Sequence, residues 1–159
     1  MDKYNKKTIE RFARPKNYGQ IDNPDGVGQV GNIICGDIMK LYLKIGKNKA
    51  REEIIKDIKF ETLGCVAAIA TSGMITELAK GKILTEALKI DRQEIVDSLG
   101  GLPPAKIHCS VLAIDALAEA IYDYYRKNSR SLPQSLRDRH ERIEEEKRLI
   151  EKKYGKWFE

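Results

Sequence analysis

"MKLYLKIGKNKAREEIIKDIKFETLGC", residues 39–65, changes its periodicity twice. Met39, Leu41, Leu43 and Ile45 alternate with Lys40, Tyr42 and Lys44, the period-two pattern of a half-buried strand. "IGKNKARE" reads as a turn, and alternation resumes over 54–63, with Ile58 and Phe60 opposite Asp57, Lys59 and Glu61. At Cys65 helical spacing takes over. Two strands joined by so short a turn must run antiparallel.

On the N-terminal side, "RPKNYGQIDNPDGVGQVGN" (14–32) reads as a loop feeding a first strand over 27–32. Residues 3–13 suggest a short helix with Ile9 and Phe12 on one side. On the C-terminal side, the helix that begins at Cys65 should stop at Lys80 and Gly81. A shorter helix follows over 91–99, and the clearest one runs from Cys109 to about residue 125. Ala113, Leu117, Ala120, Ile121 and Tyr124 form its apolar stripe, with Asp115, Glu119 and Asp123 on another face. Strands followed by segregated helices predict an α+β fold: a three-stranded antiparallel sheet with helices packed on it.

The tail differs in composition. Thirteen of the seventeen residues over 137–153 are charged, and Leu136, Ile143 and Ile150 recur every seven. So narrow a stripe predicts a solvated helix docked lightly on the domain, with His140 in water. A partner-binding or self-pairing helix capped by Trp157 and Phe158, and hence a homo-oligomer, is the alternative reading. The expected division is a domain over 1–130 and a charged helical extension over 131–159.

At 159 residues, 42% hydrophobic and 33% charged, the chain suits one domain with a real core. No apolar run approaches the roughly 20 residues of a membrane span. The N-terminus "MDKYNKKTIERFARPK" is basic but contains Asp2 and Glu10 and leads into no apolar stretch. That fits neither a secretory signal nor a mitochondrial presequence, and the expected location is the cytoplasm. The net charge of +5 is spread among interleaved acids, so no nucleic-acid face is expected.

Three cysteines do not make a secreted disulfide framework. Cys35 lies in "CGD" before the second strand, Cys65 in "LGC" where the third strand meets a helix, and Cys109 opens the long helix. Each sits at an element junction, and unpaired N–H groups at a helix start favour a thiolate. Such junctions can converge at one end of a small sheet. Three thiolates suit zinc or the irons of an iron–sulfur cluster. Asp37 and His108 are the candidates for a fourth ligand. There is no C-x-x-C pair, which excludes a zinc ribbon and the zinc-deaminase signature.

Taken singly, each of these residues has a plainer reading. Cys65 could be core, His108 a loop histidine bound by backbone, and Asp37 a turn cap. A cysteine–histidine nucleophile at Cys109 would leave the other two cysteines without a role. In "LPPAKIHCS" (102–110) two prolines stiffen the loop and set His108 and Cys109 at its end.

"ICGDIMKLYLKI", "LGCVAAIATSGMITELAKGKILTEAL" and "LPPAKIHCSVLAIDALAEAI" resemble the three motif blocks of the IscU/NifU family of iron–sulfur cluster assembly scaffold proteins, and "RFARPKNYGQIDNPDGVGQVG" its N-terminal segment. The resemblance implies a non-enzymatic scaffold that builds a transient 2Fe–2S cluster and passes it to recipient apoproteins. It implies that Cys35, Cys65 and Cys109 hold the irons, with Asp37 or His108 as fourth ligand. It also implies a cysteine desulfurase as sulfur donor, Cys109 as persulfide acceptor assisted by Lys106, and a chaperone met through 102–106.

Val66 and Ala67 stand where the family commonly has glycine and serine, and Ala105 where it has valine. The histidine before Cys109 and the lack of an insertion after Cys65 point away from the zinc-dependent SufU branch. The alternative function is a zinc-holding sulfur acceptor that activates the desulfurase, and zinc in the isolated protein would fit either reading. Beside Lys106 and His108, Cys109 is expected to be the thiol most readily alkylated.

Overall fold

The computed structural model describes residues 3–32 and 36–156. Helix α1 (Lys6–Ala13) leads into strands β1 (Gly26–Gly31), β2 (Ile38–Lys47) and β3 (Glu53–Leu63). Five helices follow: α2 (Val66–Ala79), α3 (Leu84–Ala87), α4 (Arg92–Ser98), α5 (His108–Lys127) and α6 (Gln134–Tyr154). A 3-10 turn, Pro104–Lys106, precedes α5. The strands form one antiparallel sheet in the order β1-β2-β3, so the α+β expectation holds.

Register follows the apolar alternation. Leu41 pairs with Phe60 and Leu43 with Ile58, all four fully buried on the face that meets the helices. On the opposite face the hydroxyl of Tyr42 donates to Glu61 Oε1 at 2.6 Å, which lets Tyr42 bury at a position the alternation assigns to solvent. Lys44 and Ile45 mark a register shift, and β3 continues as Ile45 opposite Ile55.

α2 is buried on most sides, through small residues such as Ala67, Ala68, Ala70 and Ala79. It packs on β3, α1 and α5. β1 meets the backbone of α5 directly. A Cβ at Gly28 would overlap the carbonyl oxygen of Ala116 and lie 2.6 Å from the nitrogen of Ala120. Glycine is what allows that approach. α4 begins on a capping pair, Asp91 accepting from the Glu94 N–H at 2.9 Å.

Several expectations change. α1 forms as expected, and the side bearing Ile9 and Phe12 is open, at 50% and 39% exposed; the helix docks through Thr8 and through Arg11, which pairs with Glu77 at 2.9 Å. The tail is helical, yet its docking is not light. Leu136, Ile143 and Ile150 are 5%, 1% and 1% exposed, and the first two join the main core. His140 is not in water either. Its Nδ1 lies 2.6 Å from Glu119 Oε1 and its ring stacks on Tyr122. Asp115 and Glu119 are buried beneath α6, with Arg142 donating to Asp115 at 2.8 Å. Trp157 and Phe158 lie outside the described residues.

Candidate functional site

Three chain segments meet at one end of the sheet. Gly36, at φ +71°, takes the left-handed conformation and turns the chain toward β2, with Asp37, 6% exposed, just ahead of the strand. β3 ends at Leu63, and Gly64 hands the chain to α2. A Cβ on Gly64 would come within 2.8 Å of Ala68 Cβ and 3.0 Å of Asp37 Cγ, so glycine is needed for this end of β3 to lie against the carboxylate. Cys65 is the N-cap of α2, in extended conformation with φ −81° and ψ 179°. Across from it, the Pro103–Pro104 pair and the 3-10 turn start α5, whose second residue is Cys109.

The donor atoms converge. Cys65 Sγ lies 3.7 Å from Asp37 Oδ2 and 3.9 Å from Cys109 Sγ. One donor from each of Asp37, Cys65 and Cys109 falls within 4.8 Å of the other two. His108 Nε2 is 3.7 Å from Cys109 Sγ, touching this group from the side of α5. Cys35 lies outside the described residues. A carboxylate oxygen and two thiols at this separation form a donor set that suits a thiophilic ion, with the His108 ring beside Cys109. Cys109 and Ala67 form a dry floor with Ala68, against which Leu102 and Tyr4 pack. Ala67 therefore underlies the site rather than rimming it, and only Val66 keeps part of its surface in solvent.

The electrostatics single out Cys65. Its thiol is lowered to about 6, first because the Cys109 thiol donates to it; the Ala68 N–H and the Lys106 ammonium act in the same direction, while burial and the Asp37 carboxylate oppose them. Cys109 is 1% exposed, whereas Cys65 is partly open. That reverses the order expected for Cys109 from its helix start and its neighbours Lys106 and His108. In the metal-free protein Cys65 should be alkylated before Cys109, with a rate that climbs between about pH 5 and 7 and then levels off. An ordinary thiol, ionising near about 8.5, would still be climbing there. Competitive labelling read by mass spectrometry checks it; earlier labelling of Cys109 would contradict the geometry.

The need for Gly64 and the dry floor come from contacts between segments, and the glycine of "LGC" is their one local signal. A second donor group, Glu119, His140 and Glu144, joins two helices and has no sequence signature.

A family model described as the NifU-like N-terminal domain matches residues 3–131. The chain belongs to that family. Iron-sulfur cluster assembly scaffold protein IscU 1 of Archaeoglobus fulgidus is 54% identical over 127 residues, covering 80% of this chain and 80% of its own. The scaffold protein IscU of Escherichia coli K12 is 47% identical over 127 residues, covering 78% of this chain and 95% of its own. Among solved structures, the N-terminal NifU-like protein of Brucella abortus superimposes with a TM-score of 0.60 over 77% of this chain and 94% of its own, and at 22% identity it speaks for the fold alone. The NifU-like match ends at residue 131, just before α6 begins at Gln134.

Proposed function

We propose that this NifU-like chain is an assembly scaffold, on which a 2Fe–2S cluster is built as cargo and then released to apoproteins. The observation that carries the reading is the convergence of Asp37 with Cys65 and Cys109: a carboxylate set among thiols within 4.8 Å. A centre meant to keep its iron gains from four thiolates. An oxygen donor holds a thiophilic iron less tightly and gives transfer a place to begin. In this reading Cys35, Cys65 and Cys109 hold the irons, and Asp37 and His108 alternate as the fourth donor.

Sulfur comes from a cysteine desulfurase as a persulfide on one of the cysteines, with Cys109 as acceptor and Lys106 beside it; since Cys109 is 1% exposed at rest, the floor of Ala67 and Ala68 opens for the donor to reach it. Becoming sulfide, that sulfur takes up two electrons, so assembly also needs a reductant. Pro104 and Ala105 are exposed and Leu102 is anchored against the site, which makes 102–106 a surface that a chaperone can grip while sensing the site. The chain acts by holding and handing over rather than by turnover, in the cytoplasm.

Anaerobic reconstitution with ferrous iron, sulfide and thiol, followed by absorption spectroscopy, tests the reading. Two irons and two sulfides per site with visible iron–sulfur absorption are expected. Tight retention of one zinc, with no iron–sulfur absorption after its removal, would overturn it in favour of a zinc-held sulfur acceptor. Asp37→Ala should give a longer-lived cluster that passes roughly tenfold more slowly to an apo-ferredoxin, the tenfold corresponding to about 1.4 kcal/mol. Equal or faster transfer would mean that Asp37 does not set the release step.

A further inference from the structure

We propose that Glu119, His140 and Glu144 form a second metal site, for one divalent first-row transition ion, which staples α6 to α5. Each residue offers one donor atom within 4.8 Å of the others. Glu119 comes from α5 and is 6% exposed. His140 and Glu144 come from α6, one turn apart and hence on one face. The imidazole is fixed in place: its ring stacks on Tyr122 at 3.9 Å with an interplanar angle of 8°, and Nδ1 lies 2.6 Å from Glu119 Oε1. A cavity of about 360 Å³, lined in part by Glu119, Tyr122, His140 and Lys147, opens beside these donors. That is room for the waters that complete an ion's coordination.

Ordinary ion pairing accounts for the rest of this interface. Arg142 meets Asp115 at 2.8 Å and Glu146 at 2.7 Å, one guanidinium shared by two carboxylates through its two terminal nitrogens. At Glu119 and Glu144 the shared group is an imidazole, which can itself ligate a metal. Two carboxylates approach one imidazole; Lys147, 3.3 Å from Glu144 and acting on Glu119 as well, sits on a flexible stem that walls the cavity together with Lys40 and Arg126. Burying a carboxylate beside a second one is costly unless both charges are balanced. One divalent ion balances both, and two carboxylate oxygens with one imidazole nitrogen are a donor set suited to ferrous iron or zinc. Lys147 then swings into the cavity, and the hydrogen shared by His140 and Glu119 leaves to solvent. Two of the three donors lie beyond residue 131, where the family match ends, so the inference stands apart from the scaffold reading.

The probe is cobalt(II), titrated anaerobically into the full chain carrying Cys35→Ser, Cys65→Ser and Cys109→Ser. One cobalt per chain is expected, with weak visible bands and no sulfur-to-cobalt charge-transfer band. Adding Glu144→Gln, at a side chain 47% exposed and so safe for folding, should weaken binding about tenfold or more, as should His140→Gln. No cobalt bound, or binding indifferent to Glu144→Gln, would overturn the site and leave an ion-pair cluster. The same substitution in the cysteine-containing chain covers a triple variant that does not fold. There the difference from wild type should hold only weak visible bands. A difference carrying the charge-transfer band, or no difference, overturns the proposal.

Discussion

Gly28→Ala is expected to cost about 3–5 kcal/mol, enough to leave a domain of ordinary stability, about 5–15 kcal/mol, near its unfolding threshold. An added methylene in a core usually costs about 1–3 kcal/mol, because side chains can turn away. Here they cannot. The new methyl group would meet the Ala116 carbonyl oxygen, the Ala120 nitrogen at 2.6 Å and the Glu119 carbonyl carbon at 3.1 Å, all of them helix backbone. Only a shift of α5 as a body relieves the overlap, and α5 carries Cys109. Urea unfolding of the variant measures the loss, and its reconstituted cluster yield should fall with it. Gly46→Ala is the milder comparison, since the nearest atoms to its methyl group are side-chain carbons of Lys56, Cβ at 3.2 Å and Cδ at 3.3 Å, rather than helix backbone. A Gly28→Ala loss under about 1 kcal/mol would mean that β1 and α5 lie further apart than described.

Ile143→Ala should cost about 2–4 kcal/mol, a core-sized loss in a helix whose sequence is mostly charge. Ile143 is 1% exposed and belongs to the same cluster as Leu41 and Phe60. A lightly docked helix would give a surface-sized effect, within about 0.5 kcal/mol. Thermal or urea unfolding distinguishes the two. Removing 131–159 altogether should cost at least as much, because it also strips Asp115 and Glu119 of Arg142 and His140. Cluster assembly by the shortened chain, assayed cold, should survive, since every proposed donor to the cluster lies before residue 110. Loss of the cluster in a chain that still folds would place part of the site in the tail.

The strands were legible because a half-buried strand records its two environments at every second residue, as Met39 to Ile45 do. Long helices were legible for the same reason at a different period. α3 and the 3-10 turn leave no trace in the pattern, because at four and three residues neither repeats a helical period. The meeting of Asp37, Cys65 and Cys109 could be anticipated because element junctions gather at the ends of sheets. Which thiol is the more reactive could not. That depends on Ala67 and Ala68 closing over Cys109, a contact between segments some forty positions apart in the chain. The tail misled for a related reason. Asp115 and Glu119 look like a solvent face until Arg142 and His140 arrive from another helix, and nothing local in α5 announces them.

The donors Asp37, Cys65 and Cys109 come from the start of a strand, the cap of one helix and the first turn of another. During synthesis they emerge in that order. A nascent chain that ends at Leu102 displays the carboxylate and one thiol of the set but lacks the residue that closes it. On the scaffold reading, iron met at that stage would find only loose, mutually unfixed donors. The competent site is born with the docking of α5, so the chain withholds its grip until its own folding is nearly done.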